Sequence, residues 1–384
     1  MKRSPLHVLV APDSFKGSLS AADAAMAMRA GILSVVPQAI VSLHPVSDGG
    51  EGFLGTLALP LGAAIVTTSV QGPLPGCRAA ARWGIAEHGR LAIIEMAEAA
   101  GLLLVPPGNR NPGRTTSYGV GEVMRAALDR GARELLIGIG GSATNDGGAG
   151  MAAALGAVFR DEAGEILPPG GKELLRLARI DMTGFDLRLA ETKVTAACDV
   201  DNPLTGPRGA SVVYGPQKGA DAAMVANLDS ALSHYAEILR RRLGRDVGSM
   251  VGSGGGGGIG AGLAAFCHAR LARGIDTVLD ATGFDAALAD VDLVLTGEGK
   301  LDAQTSAGKA VAGVVRRAHA AGVPVAAVVG SVEGGTTASA MGFAAIETLC
   351  DESTGVDGAM RQAASLLAER TAQLLTRIVI PFLR

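Results

Sequence analysis

The sequence predicts an α/β protein of two domains, in which a doubly wound domain built from both ends of the chain is interrupted by a large inserted α/β domain. The length of 384 residues exceeds the size at which a single hydrophobic core keeps growing, so two domains are expected. Short apolar runs alternate with helical segments at both ends of the chain, as they do in parallel βα repeats. Between the two ends, the sequence does not follow this parallel βα pattern.

The first βα unit begins close to the N-terminus. Residues 7–11 form a short apolar run typical of a strand buried on both faces, and residues 20–31 follow as a serine-capped helix that we expect to end at Gly31. A second strand is predicted over residues 40–46. Both strands end in polar, glycine-containing loops, and the carboxyl ends of strands are where open α/β sheets bind their ligands.

The pattern changes near Ala63. Residues 64–70 and 78–85 alternate in polarity and are joined by a segment rich in glycine and proline, which predicts a β-hairpin. The parallel βα pattern returns with an apolar strand at 292–296, a helix at 311–321 and a strand at 323–329. We therefore predict a discontinuous domain of residues 1–62 and 290–384, and an inserted domain of residues 63–289.

Composition restricts the classes of ligand. A net charge of −3 gives no broad basic surface, and 3% aromatic residues are too few for base stacking, so small molecules rather than nucleic acids are expected. Four widely spaced cysteines favour reduced, buried thiols over disulfides or a zinc site. The apolar run at 6–11 is too short for a signal peptide and the longest uncharged run is broken by glycines, so we predict a cytoplasmic protein with no membrane span. A homo-oligomer is left open.

A glycine-dense segment at 138–148, GIGGSATNDGG, is the most informative loop. It lies between the apolar run at 134–137 and an alanine-rich helical segment, so it is predicted to join a strand to a helix. Backbone N–H groups at such a place can bind an anion, and Ser142, Thr144 and Asn145 add polar side chains, while Asp146 could hold a cation. The alternative is a tight turn whose glycines only permit close packing.

Other loops that follow predicted strands carry charged and polar side chains. Cations and glycine-rich backbone suit phosphate, and closely spaced carboxylates with an amide suit Mg²⁺. Loop lysines are also commonly just solvated, and Asp and Asn also form turns, so both interpretations stay open at this point. The residues are Ser14, Lys16, Asp48, Asp199, Asp201, Asn202, Gln217, Lys218, Glu298, Asp302 and Lys309.

A glycine tract at 252–262 matches the spacing GxGxxG at Gly255, Gly257 and Gly260, with Asp280 twenty residues beyond it. That spacing is found in dinucleotide-binding loops, but a match is expected by chance where nearly every residue is glycine, and the strand before it is weak. We interpret the tract as a loop that leads into a helix.

Six motifs in order resemble the bacterial glycerate kinase family, whose members phosphorylate D-glycerate with ATP. They are PDSFKGS at 12–18, SDGGEG at 47–52, GIGGSATNDGG at 138–148, CDVDNPL at 198–204, GPQKGA at 215–220 and TGEGKLD at 296–302. The resemblance implies a Rossmann-like domain split across the chain ends, an active site between the domains, and usually 2-phosphoglycerate as product. The sequence departs from the family at the glycine tract and in its last segment.

The resemblance and the loop chemistry together predict a role for each group. We expect ATP and Mg²⁺ as cofactors and D-glycerate as the substrate. Lys16, Asp199 and Asp302 are the predicted catalytic residues, with Asp302 or Asp199 as the base, and Asp48, Asp199 and Asp201 are predicted to hold Mg²⁺. Ser14, Ser142, Thr144, Asn145, Asn202, Gln217, Lys218, Glu298 and Lys309 are predicted to bind substrate or phosphate, with Lys218 on the glycerate carboxylate.

Three alternatives to this function remain at this stage. The phosphoryl group could be transferred to the 3-hydroxyl of glycerate instead of the 2-hydroxyl. A dehydrogenase for hydroxy acids would use the glycine tract at 252–262 to bind NAD, and a sensor of sugar acids or phosphate would bind its ligand without turnover. The sensor would not need so many carboxylates in its loops.

Overall fold

A computed structural model describes residues 5–301, 310–333, 342–350 and 355–378. Strands and helices are mixed along these residues, which confirms the α/β class. The chain divides into two compact units, one formed by Met1–Asp48 with Ile275–Arg384 and the other by Gly49–Gly274. The domain boundaries predicted at 62/63 and 289/290, and the active site implied between domains, stay predictions.

The elements follow one another in a largely alternating order. The strands are β1 (His7–Val10), β2 (Ile40–Leu43), β3 (Ala64–Gln71), β4 (Arg78–Ala86), β5 (Leu91–Glu95), β6 (Glu134–Gly138), β7 (Val158–Arg160), β8 (Arg179–Asp181), β9 (Lys193–Ala197), β10 (Arg270–Ala272), β11 (Leu293–Thr296), β12 (Lys300–Leu301), β13 (Val325–Val329), β14 (Ser331–Val332) and β15 (Ala345–Thr348). The α-helices are α1 (Ala21–Val35), α2 (Phe53–Ala58), α3 (Ala97–Ala100), α4 (Tyr118–Asp129), α5 (Ala149–Ala154), α6 (Ala210–Tyr214), α7 (Ala222–Leu243), α8 (Gly255–Cys267), α9 (Gly274–Ala281), α10 (Phe284–Ala287), α11 (Ala310–Ala320), α12 (Gly355–Arg361) and α13 (Ala363–Ile378).

The unit formed by the two ends of the chain contains a five-stranded sheet in the order β15-β13-β11-β1-β2, and every pair in it is parallel. Strands β1, β11 and β13 are buried almost throughout, as their continuous apolar runs predict. The strands predicted at 7–11, 40–46, 292–296 and 323–329 are all present, with shifted ends.

The first helix differs from its prediction. Helix α1 continues past Gly31 to Val35 instead of ending at the glycine. Gly31 is buried, and a Cβ atom built on it would overlap the carbonyl oxygen of Ala368 in α13. The glycine therefore permits two helices to pack closely, a reason that cannot be seen in the local sequence.

The unit formed by Gly49–Gly274 contains a six-stranded sheet in the order β10-β9-β6-β5-β4-β3. Strands β3, β4 and β5 are antiparallel neighbours, which confirms the predicted hairpin, whereas β5, β6, β9 and β10 are parallel. The core of this unit includes the fully buried Trp83 and Tyr235.

The cysteine prediction holds in part. No disulfide joins any of the four cysteines, and only Cys267 is buried, since Cys77 is exposed and both Cys198 and Cys350 are intermediate. Among the described helices, none combines the length and the apolar character needed to cross a bilayer.

Candidate functional site

Three loops meet at one edge of the six-stranded sheet. Glu95, Gly138 and Ala197 end β5, β6 and β9 and are neighbours in the parallel register. The segments that follow these strands therefore begin side by side, at the edge where parallel sheets bind their ligands. Two of them carry the motifs predicted to bind phosphate and Mg²⁺.

The loop at 138–148 is packed against the backbone of Gly49 and Gly50. The N–H of Gly140 donates to the carbonyl oxygen of Gly49 at 3.1 Å. A Cβ atom on Gly138 would lie 2.7 Å from the same oxygen, and one on Gly140 would lie 2.5 Å from the Cα of Gly50. Close packing thus explains two of the loop's glycines, while Gly141 is exposed at its tip.

The glycine tract packs against the other side of this loop. Gly256, Gly257 and Gly258 have φ values of 63°, 75° and 88°, and a Cβ on Gly257 would overlap the carbonyl oxygen of Thr144. The N–H of Gly147 donates to the oxygen of Gly257 at 3.1 Å. The tract follows turns rather than a strand, and this packing accounts for Gly257 without a dinucleotide.

Asp146 organises the interior of the loop. Its Oδ2 accepts hydrogen bonds from the backbone N–H and the hydroxyl of Ser117 at 2.8 and 2.9 Å and from the N–H of Gly150 at 3.2 Å, and its Oδ1 accepts from Gly148 at 3.2 Å. The side chain is 1% exposed, and burial raises its pKa while these donors oppose the rise. The occupied oxygens favour a structural role for Asp146 over the cation ligand considered from sequence.

Lys218, in the turn that precedes α7, forms hydrogen bonds to the same loop. Its Nζ donates to the Oγ of Ser142 and to the carbonyl oxygen of Thr144, both at 2.7 Å. Lys218 is 2% exposed, and burial lowers its pKa to about 7, with the charge of Asp146 acting in the opposite direction. Its Nζ is therefore engaged with the loop, whereas the neighbouring Gln217 is exposed.

The polar side chains of the loop lie inside rather than on its surface. Thr144 and Asn145 are completely buried and Ser142 is nearly so. The Nδ2 of Asn145 donates to the Oγ of Ser211 at 2.9 Å. Anion binding by this loop would therefore fall to its exposed tip at Gly141 and to the edge of Ser142, since the N–H of Gly140 is bound to Gly49.

In the loop after β9, two of the predicted ligands, Asp201 and Asn202, are bound to nearby protein groups. Asp201 is exposed and pairs with Arg208 at 2.8 Å, and the hydrogen bond from Arg208 lowers the pKa of Asp201. Asn202 donates from Nδ2 to the oxygen of Arg208 and accepts the Tyr214 hydroxyl, both at 2.7 Å. Asp199 is half-buried and comes two residues after Ala197, the last residue of β9, whereas Asp201 comes four residues after it.

The unit formed by Met1–Asp48 and Ile275–Arg384 contains a second set of predicted site residues, in loops that follow its strands. Val10, Leu43 and Leu295 are neighbours at the carboxyl ends of β1, β2 and β11. The N–H of Asp13 donates to the oxygen of Gly297 at 2.8 Å, which joins the loop of Ser14 and Lys16 to the loop of Glu298.

The exposure of these predicted residues varies. Lys16 is exposed, Ser14 and Asp48 are half-buried, and Glu298 is 7% exposed. Asp302 and Lys309 lie outside the described residues, so their predicted roles stay predictions.

Comparison with known proteins assigns the chain to a family. The glycerate kinase family model matches residues 8–379. The chain belongs to the glycerate kinase family. A glycerate kinase of Halalkalibacterium halodurans is 46% identical over 94% of this chain and 95% of its own length, and the glycerate 2-kinase of Escherichia coli K12 is 43% identical over 85% and 86%. The crystal structure of a putative glycerate kinase 2 from Salmonella typhimurium LT2, 43% identical, superposes with a TM-score of 0.86 over 99% of this chain and all of that one.

Sequence reasoning missed one residue at the sheet edge of this glycerate kinase family member. Glu95 ends β5, is 7% exposed, and accepts hydrogen bonds from the N–H groups of Gly52 and Leu54, both at 3.1 Å. Burial raises its pKa, and the two backbone donors oppose the rise. Glu95 thus holds the last residue of the SDGGEG motif, and the available signal was a carboxylate at the end of an apolar strand.

The burial of Lys218 predicts a pH-dependent stability. Its pKa is about 7 in the folded protein against an ordinary value of 10.5, so between these values the unfolded chain binds a proton that the folded chain lacks. The contribution of Lys218 to stability is thus fully present above pH 10.5 and is lost as the pH falls towards 7. The free energy of unfolding of the wild type relative to Lys218→Met should rise with pH across this window, by up to about 1.4 kcal/mol per pH unit.

Urea unfolding at several pH values measures this difference. Lys193→Met, at an exposed lysine, provides the matched control and should show no such rise relative to wild type over pH 7 to 9. A difference between wild type and Lys218→Met that stays constant with pH would show that Lys218 keeps its ordinary pKa in the folded protein.

Proposed function

We propose that this protein transfers the γ-phosphoryl group of ATP to the 2-hydroxyl of D-glycerate, giving 2-phosphoglycerate, with Mg²⁺ as the metal. The match of residues 8–379 to the glycerate kinase family carries this proposal. The 2-position is supported by the name of the Escherichia coli relative, glycerate 2-kinase. The small-molecule partners are therefore ATP and D-glycerate, and the cytoplasm is the proposed location.

The unit formed by both chain ends is proposed to be the discontinuous Rossmann-like domain. Its strand order places β1 between β2 and β11, so the chain first adds a strand on one side of β1 and later extends the sheet on the other. Such a reversal is where open parallel sheets bind ligands. The loops of Lys16 and Glu298 follow the two strands at this reversal, which supports their assignment to the phosphate chemistry.

Phosphoryl transfer depends on positioning and on offsetting negative charge, with a carboxylate to accept the hydroxyl proton. The exposed Lys16 is proposed to approach the phosphates, with Ser14 beside it. In the other unit, Ser142 and Gln217 are proposed to contact substrate or phosphate. The buried Thr144, Asn145 and Lys218 then act by holding the loop in shape, and Asn202 does the same for the loop after β9.

The described carboxylates suit Mg²⁺ bound together with a nucleotide. No group of three His, Cys, Asp or Glu side chains in the described ranges could hold a metal ion alone. Mg²⁺ is usually held by one or two carboxylates plus substrate phosphates, so a cage made only of protein is not required. We assign this role to Asp199, with Asp48 as a second candidate, because Asp201 is exposed and paired with Arg208. When bound, the ion would offset charge on the transferring phosphoryl group.

The test is ADP release from ATP and Mg²⁺ on addition of D-glycerate, measured alongside the absorbance of NAD⁺ with the same acid. We expect ADP to form in proportion to the D-glycerate consumed, with no change in the absorbance of the nicotinamide. Reduction of NAD⁺ would establish the dehydrogenase instead, and binding of D-glycerate without either product would establish the sensor.

A further inference from the structure

Arg110 is a cation of the Gly49–Gly274 unit that the motifs did not single out. The residue is half-buried, and its Nε is buried without a hydrogen-bond partner. Among the residues that the structure describes, no carboxylate pairs with its guanidinium. Arg188 in the same unit shows the usual arrangement, because it pairs with both Asp186 at 2.7 Å and Asp129 at 2.8 Å.

Arg110 lies against the turn that carries Lys218. Gly219, the next residue, has a φ of +95°, and a Cβ atom on it would lie 2.6 Å from the carbonyl oxygen and 2.9 Å from the Cβ of Arg110. The glycine is required here because the backbone of Arg110 comes so close. The base of the arginine side chain is therefore fixed beside the lysine whose Nζ binds Ser142.

The segment that follows Arg110 is tied to the 138–148 loop at a second point. The Oγ1 of Thr115 donates to the carbonyl oxygen of Ala143 at 2.8 Å, and Thr115 is 1% exposed. Residues 110–115 thus run from the Lys218 turn to the residue next to Ser142. Arg110 belongs by these contacts to the same cluster of loops as the proposed site.

A partly buried guanidinium without a protein partner lowers stability, because desolvation of the charge is not offset. An anion that binds to it recovers this cost, and the planar donor fork of arginine matches the two oxygens of a carboxylate or phosphate. Lys218 is less suited to bind the anion, since it is 2% exposed and its Nζ already donates to Ser142 and Thr144.

We propose that Arg110 binds an oxyanion of the substrates, either the carboxylate of the acceptor acid or a phosphate of the nucleotide, as a specificity-determining residue of this loop cluster. The inference rests on the proposed kinase function, and if the oxyanion is the carboxylate, Arg110 makes the contact that the sequence predicted for Lys218.

The test compares Arg110→Gln, Arg110→Lys and the matched control Arg114→Gln, an exposed arginine of the same loop. The KM values for D-glycerate and for ATP and the kcat are measured for each. A charge-assisted hydrogen-bonded pair corresponds to a change of tenfold or more in affinity. Arg110→Gln should therefore raise one of the two KM values at least tenfold, with Arg110→Lys in between and Arg114→Gln like wild type.

The substrate whose KM rises identifies the source of the oxyanion. A rise for D-glycerate alone places its carboxylate on Arg110, and a rise for ATP alone places a phosphate there. Equal KM values for Arg110→Gln and Arg114→Gln overturn the inference while leaving the kinase function intact. Absence of turnover in the wild type overturns the kinase function, and calorimetry of D-glycerate and of ATP with wild type and Arg110→Gln then tests the anion contact by itself. If Arg110→Gln folds but is inactive, the same calorimetry tests whether the anion contact has been lost.

Discussion

Replacement of Asp199 by asparagine is expected to lower kcat for D-glycerate phosphorylation at least a hundredfold. Asp199 follows β9 at the sheet edge that it shares with β5 and β6, and it is half-buried. Loss of a general base commonly costs a factor of about 10²–10⁴, and loss of an anionic metal ligand acts in the same direction. Asparagine keeps the shape of the side chain, so thermal unfolding should change little.

The comparison with Asp201→Asn separates the two carboxylates of the motif. Asp201 is 71% exposed and pairs with Arg208, and exposed pairs contribute about 0–1 kcal/mol to stability. A much smaller fall in kcat is therefore expected for Asp201→Asn. If the two variants lost equal activity, or if Asp201→Asn lost more, the assignment of the chemistry to Asp199 would be wrong.

Replacement of Gly257 by alanine is expected to lower the free energy of unfolding by about 3 kcal/mol and to reduce activity with it. Gly257 has a φ of +75°, and the added methyl group would overlap the carbonyl oxygen of Thr144. Backbone cannot move away as a flexible side chain can, so the 138–148 loop must shift. Urea unfolding and kcat measured on the same variant report both effects.

Gly244→Ala is the matched control for this substitution. Gly244 follows the end of α7 with a similar φ of +67°, but an added Cβ meets no atom within 4 Å. It should lose about 1 kcal/mol, the conformational cost alone, and keep its activity. Equal losses for the two variants would show that the glycine tract does not support the loop.

The sequence predicted well what depends on local pattern. Apolar runs located the strands, and the alternation at 64–85 located the hairpin because side-chain direction in a strand has a period of two. The motifs located the loops at the sheet edges because functional residues in such folds follow the carboxyl ends of strands.

What the sequence could not show depends on contacts between distant segments. Gly31 has the appearance of a helix terminator, and only the proximity of Ala368 explains why a glycine stands inside α1. Lys218 has the appearance of a loop cation, but its Nζ binds Ser142, which is distant in sequence. Three glycines of the tract match a dinucleotide spacing, but Gly257 is required by the carbonyl oxygen of Thr144 and Gly260 by that of Gly252.

Arg110 and Glu95 were missed for a related reason. Neither lies in a motif with a recognisable spacing. Glu95 gains its role from the backbone N–H groups of Gly52 and Leu54, and Arg110 from its partial burial beside Gly219. The position of Glu95 at the end of an apolar strand was a local signal, but the partners and the burial of both residues follow from tertiary structure.

Phosphorylation of the 2-hydroxyl of D-glycerate is the activity that we propose for this chain. The most direct measurement is NMR of the product formed from ATP, Mg²⁺ and ¹³C-labelled D-glycerate, in which the coupling of phosphorus to carbon identifies the esterified position. We expect a single product with the phosphate on the oxygen of C2. A phosphate on the oxygen of C3, or recovery of unchanged D-glycerate from an enzyme that is folded, would contradict it.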